Sequence, residues 1–152
     1  MSHSIRRGDP DDLVDVMRLF DGALLETDVD RVRARLVGER GSLLVSATEG
    51  RLVGAIAVLT ADGTSEELVW PDSVYISAIA VRKARRGRGI GRSLIEAAAE
   101  RAGPRSLSAT FDARVRPFYA SCGFEIERRE GRPWGRRARG GCVGAVVGGR
   151  GM

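Results

Sequence analysis

The sequence predicts an α+β domain in which helices flank one mixed sheet. Three observations predict it. Two β-rich runs, "SLLVSAT" and "RLVGAIAVLT", are separated only by Glu49-Gly50, the composition of a tight hairpin turn. Leu13, Val16, Met17 and Phe20 recur at helical spacing and make one apolar stripe. A further apolar run, "SVYISAIAV", passes through a glycine–arginine turn straight into an alanine-rich stretch. Hairpins therefore alternate with helical crossovers, which a single mixed sheet accommodates.

Taken in order, "SIRR" (residues 4–7) is a short strand candidate. Asp9-Pro10 then supplies an N-cap with proline at the first helical position. A second helix starts near Asp28, with Val29, Val32 and Leu36 inward and arginines outward, and stops around Gly38 or Gly41. After the hairpin, "ADGTSEELVWPD" (residues 61–72) reads as a loop that can include a strand end. "SVYISAIAV" is apolar enough for burial on both faces near its end. The helix over residues 89–101 turns Ile90, Leu94, Ala97 and Ala98 inward, its alanines allow close approach to a sheet, and Gly103-Pro104 ends it. "SLSATFD" is a strand, "ARVRPFYASCGF" a short helix closing at Gly123, and "FEIERRE", Gly131 and "RPWGR" a final hairpin. The order is β-α-α-β-β-β-α-β-α-β(-β). Residues 1–135 form the domain, and 136–152 a Gly- and Arg-rich tail, expected to be flexible, in which "CVGAVV" is the one stretch suited to an edge strand.

Composition narrows the function classes. The 152 residues, 43% hydrophobic and 30% charged, suit one globular domain with a substantial core. No apolar run approaches the roughly 20 residues of a membrane span, and "MSHSIRRGDPDD" lacks the apolar centre of a secretory signal, so a cytoplasmic location and no membrane partner are expected. Cys122 and Cys142 have no metal-ligand spacing and His3 is the sole histidine, so no metal is expected. The net charge of +5 is uneven: the tail from Arg136 holds four arginines and no acid. The near-neutral remainder argues against a nucleic-acid partner, even though Arg82, Lys83, Arg85, Arg86, Arg88 and Arg92 crowd together.

That crowded stretch, "VRKARRGRGIGRSLIEAAAE", is the chemical signal. A strand ending in a glycine-rich turn that opens a helix makes an anion site, because the first helical N–H groups lack partners and the helix dipole adds positive potential. It is not a P-loop: Gly91-Arg92-Ser93 lacks the lysine, and Arg86 stands where the first glycine belongs. Nor is it a dinucleotide fingerprint, since counting from Gly87 places Arg92 at the third glycine. What fits is R-x-x-G-x-G, filled by Arg86, Gly89 and Gly91.

With "SAIAV" before it, "GRSLIEAAAE" after it and "RPFYASCGF" downstream, this turn resembles the GNAT superfamily of acyl-CoA-dependent N-acyltransferases, over roughly residues 4–134. The resemblance implies a mostly antiparallel sheet and acetyl-CoA as co-substrate. It implies that Arg86, Gly87, Arg88, Gly89, Ile90 and Gly91, with Arg92 close behind, hold the pyrophosphate. It implies that the main chain of Ile79, Ala80 and Val81 bonds the pantetheine arm like an added strand, which requires a splay between that strand and "SLSATFD". It also implies direct attack without an acyl-enzyme, with Tyr119 the general acid beside the sulfur and a strand amide near Ile79 polarising the carbonyl. Cys122 lacks an activating histidine and reads as an inert thiol.

Two positions depart from the family pattern. Asp112 stands where many relatives have asparagine; it can accept a pantetheine N–H but cannot donate. No carboxylate lies inside "SVYISAIAV", leaving Tyr75, Ser77, Asp72, or loop residues Glu66 and Glu67 to serve the base. The expected activity is transfer of an acetyl group to an amine of a small molecule or peptide, by a monomer or homodimer. The alternative is a non-catalytic acyl-CoA-binding module.

Overall fold

The computed structural model describes residues 4–23, 25, 28–60, 73–129 and 131–138. Its elements are β1 (Ser4–Arg7), α1 (Leu13–Gly22), α2 (Val29–Leu36), β2 (Gly41–Thr48), β3 (Arg51–Thr60), β4 (Ser73–Val81), α3 (Ile90–Ala102), β5 (Ser106–Thr110), α4 (Arg116–Ser121), β6 (Glu125–Arg129) and β7 (Arg132–Arg137). The seven strands form one sheet in the order β1-β2-β3-β4-β5-β7-β6, and only β4 and β5 run parallel. Parallel neighbours need a crossover, and α3 is that crossover. The fold is the expected mixed, mostly antiparallel α+β arrangement in the expected order.

Local chemistry accounts for the element ends. Asp9 caps a single 3-10 turn, Pro10–Asp12, rather than α1 itself; its side chain accepts from Asp11 N–H while Asp12 reaches back to the Asp9 N–H. Arg6 grips Asp12 through both guanidinium nitrogens, at 2.8 and 3.0 Å. That hydrogen bond holds the Asp12 carboxyl below the usual range and raises Arg6. Asp28 caps α2 through the Asp30 N–H. Glu49 and Gly50 both take positive φ, 52° and 78°, as the two-residue hairpin between β2 and β3 demands.

Two apolar layers hold the sheet. On one face Val16, Leu19 and Phe20 of α1 and Val32 and Leu36 of α2 cover Leu43, Val45, Ala55, Ala57, Ala78 and Ala80. The small alanines let α1 settle directly on β3 and β4. On the other face Ile90, Leu94, Ile95, Ala98 and Ala102 of α3 cover Leu44, Val53, Ile56, Val58, Val74 and Ile76. The inward face of α3 thus uses Ile95 and Ala102, while Ala97 is only partly buried. Val29, expected inward, is 42% exposed because it sits on the first turn of α2.

The expected domain boundary after residue 135 falls inside β7, which continues through Arg137. That side chain is 4% exposed and donates to Glu96 Oε1 of α3 at 2.9 Å, so the last strand is tied to the helix. Residues 61–72, expected as a loop, and 139–152, which hold most of the expected tail, lie outside the described residues.

Candidate active site

The sheet is paired unevenly at its centre. β4 and β5 are in register from Ser73↔Ser106 to Ile76↔Ala109 and then separate. Each is held by its outer neighbour. β5 follows β7, with Thr110 Oγ1 and the Phe111 N–H both donating to Pro133 O at 3.1 and 3.3 Å. β4 follows β3, and the Arg82 N–H reaches Val53 O at 2.7 Å. A bulge coincides with the parting: Ala57 faces Ala78 and Val58 faces Ile76, so Ser77 has no partner in β3. Ser77 is exposed, and its hydroxyl donates to Ala57 O at 3.3 Å.

The hydrogen-bond alternation of an antiparallel pair tells which groups face the gap. Arg82 bonds toward β3, so Ala80 and Ala78 do too, while Ile79 and Val81 turn their N–H and C=O groups toward the gap. Arg86 Nε already donates to Val81 O at 3.1 Å. Of the three strand residues expected to bind through the main chain, Ile79 and Val81 present groups to the gap and Ala80 faces Ala55 instead.

The gap opens beside the glycine–arginine turn. A 3-10 turn, Lys83–Arg85, leads through Gly87 and Gly89 into α3. Both glycines have left-handed φ, 80° and 81°, and a Cβ on either would meet nothing within 4 Å, so backbone conformation and not crowding demands glycine there. The Arg86 N–H is spent on Lys83 O at 3.3 Å. The N–H groups of residues 87–92 have no main-chain acceptor among the described residues, and the first i→i−4 bond comes from Ser93 to Gly89 O. The amide row is therefore displaced one residue from expectation: it includes Arg92 and omits Arg86, whose contribution is its side chain.

Gly91 serves a different need. A Cβ there would fall 3.0 and 3.1 Å from the Phe118 ring. Its absence lets α4 dock on the mouth of α3, which locates Tyr119. That ring stacks on Phe111 with centroids 4.1 Å apart and meets Phe118 and Phe124 edge-on at 5.3 and 5.2 Å. Burial first, then Tyr75 and Cys122, push the Tyr119 phenol well above its ordinary value. It is thus a neutral hydrogen-bond donor rather than a phenolate. The packing role is its own as much as that of Phe118 and Phe124.

Across the sheet Tyr75, one residue out of phase with Val74 and Ile76, lies 6.2 Å from the Trp134 ring. Neither Phe111 nor Trp134 stood out in the sequence, because nothing local marks a residue that a strand pairing brings to a gap.

The remaining candidates separate clearly. Asp112 is exposed and caps the turn Ala113–Val115: it accepts from the Arg114 N–H at 2.9 Å, which lowers its pKa. Its carboxylate serves the chain's own backbone. Cys122 is a buried free thiol whose pKa is raised by burial. Asp72, Glu66 and Glu67 lie outside the described residues. Among the described residues no three His, Cys, Asp or Glu side chains could hold a metal ion, and no helix is long and apolar enough to cross a membrane.

Solved structures share this architecture. The PaiA N-acetyltransferase from Thermoplasma acidophilum in complex with coenzyme A superposes with a TM-score of 0.73 at 13% identity, covering 91% of this chain and 99% of that one. NAA60 from Arabidopsis thaliana in complex with a bisubstrate analogue gives 0.74 at 17%, covering 92% and 99%. The ribosomal-protein-S18-alanine N-acetyltransferase from Escherichia coli gives 0.69 at 17%, covering 89% and 91%. These likenesses establish the fold. The model of the acetyltransferase (GNAT) domain matches residues 39–126, more than half of the chain. The chain belongs to the GNAT acetyltransferase family. No curated protein sequence matches it.

Proposed function

We propose that the protein is an acetyl-CoA-dependent N-acetyltransferase acting on an amine of a small molecule or peptide. What supports this reading is the run of strand 78–81, paired with β3 alone, into the unpaired amides of residues 87–92, with Tyr119 buried against Phe111 just past the end of β5.

In this reading the amides of residues 87–92 and the positive end of α3 hold the diphosphate, and Arg86, Arg88 and Arg92 draw it in. The Ile79 N–H and C=O and the Val81 N–H bond the pantetheine arm as a strand would. The bound thioester supplies an activated acetyl group. A neutral amine attacks its carbonyl carbon, the C–N bond forms, the C–S bond breaks, and the proton the amine releases passes through solvent to the departing thiolate. A strand amide at the Ser77 bulge, near Ile79, stabilises the developing oxyanion. The Tyr119 hydroxyl, kept neutral by burial, donates a hydrogen bond to the departing sulfur and stabilises the negative charge that grows there. The Tyr75–Trp134 side of the gap, together with α1 and α2, receives the acceptor.

Calorimetry with acetyl-CoA and a thiol-release screen over amines test the proposal. Binding accompanied by release on at least one amine is expected. Binding with release on none would identify a non-catalytic acyl-CoA module instead, and failure to bind would sink both.

A further inference from the structure

The opposite end of α3 has chemistry that the acetyl-transfer reading does not use. There a cavity of about 370 Å³ is lined by Arg7, Arg40, Arg101 and Arg105, with Ser42 and Thr60 beside them. The arginines come from four places in the chain: the end of β1, the turn before β2, the last turn of α3 and the turn after it. Among the described residues no carboxylate lines the cavity. Among the described residues none lies within 4.0 Å of Arg7, Arg101 or Arg105.

From this geometry we propose a second ligand site, for a compact phosphate-bearing anion. Like charges that share a cavity repel and gain from an anion between them. Guanidinium forks match phosphate oxygens in pairs, and the two hydroxyls add neutral donors. The chain also positions two of the cations, Arg7 and Arg105. Gly38, with φ of 88°, leaves the space that Arg7 Nη2 occupies, and any Cβ there would collide with it. Arg105 Nε donates to Ala102 O at 3.3 Å, occupying a carbonyl of the last helical turn. That contact offsets part of the negative helix end, which alone would oppose an anion. The volume lies at the lower end of the roughly 300–1,000 Å³ of small-ligand sites. The site stands apart from the turn at residues 87–92 and does not depend on the acetyl-transfer reading.

An NMR titration of the full chain with inorganic pyrophosphate separates the two ends of α3 by their own amides. Saturable shifts at Gly38, Gly41 and Ser42 are expected. The double variant Arg101→Gln/Arg105→Gln should weaken that response at least about tenfold, the scale of losing charged hydrogen bonds, with the response of Gly87 and Gly89 unchanged. Thermal melting checks that the variant is folded. Two results would overturn the site. One is wild-type protein that shows no shift at Gly38–Ser42. The other is a double variant that titrates like the wild type.

Discussion

Residues 73–76 of β4 pair with β5, and all of these but Ser73 also pair with β3, whereas past the Ser77 bulge residues 78–81 pair with β3 alone. In the first part Ser73 and Ser108 hydroxyls meet at 2.9 Å, both buried, and Leu107 is 1% exposed. In the second, the peptide groups of Ile79 and Val81 face the gap and Ser77 is exposed. The two parts are continuous and similarly apolar, so composition does not separate them. What separates them is the company each neighbour keeps, β5 being drawn toward β7 while β4 stays with β3. A completed sheet stabilises, and an incomplete one leaves main-chain groups able to recognise an extended ligand.

Substitutions in the two parts should therefore fail differently. The largest effect belongs to the closed part. Leu107→Ala should cost about 2–5 kcal/mol of stability through the cavity it leaves, read in urea unfolding, with cofactor affinity of the folded fraction unaltered. Next comes the gap: Tyr119→Phe should lower turnover about 10²-fold while the ring stack, the melting temperature and acetyl-CoA affinity persist. Unchanged turnover would leave Tyr119 a packing residue only. Gly89→Ala should cost about 1–2 kcal/mol from the left-handed backbone and weaken acetyl-CoA binding in calorimetry. Gly131→Ala, at φ 80° in the last hairpin and with nothing within 4 Å of the added Cβ, should show the strain without the binding loss. If both variants bind alike, the amides of residues 87–92 are not the anchor.

The smallest effect lies far from the gap. Asp12 has its pKa lowered by Arg6, so its contribution is present above the unfolded value of about 4 and disappears as pH falls through the lower folded value. Asp12→Asn should remove about 0.2–1 kcal/mol at neutral pH and flatten the acid limb of the stability curve below about pH 4. An unchanged acid limb would mean that Arg6 contributes nothing there.

Much of the site was legible locally. R-x-x-G-x-G between an apolar run and a helix marks an amide-lined turn because orphan N–H groups and positive-φ glycines are properties of adjacent residues. Which residue leads the amide row was not legible, since the 3-10 turn at Lys83–Arg85 consumes the Arg86 N–H. Asp112 resembled a ligand-binding position and proves to be a cap, because a carboxylate two residues before a free amide turns back upon it. Gly91 keeps its place in the amide row, and its missing Cβ also makes room for Phe118 from the next helix, which no local spacing announces.

By itself the sequence determined the order of elements, the mixed sheet and the position of the amide-lined turn, all of which follow from periodicity and neighbouring residues. Only the tertiary structure decided where β4 and β5 part, which peptide groups are left over, and that Arg7 and Arg40 share one cavity with Arg101 and Arg105. Those outcomes depend on competition between strand partners and on side chains meeting across the fold, and no local spacing encodes either.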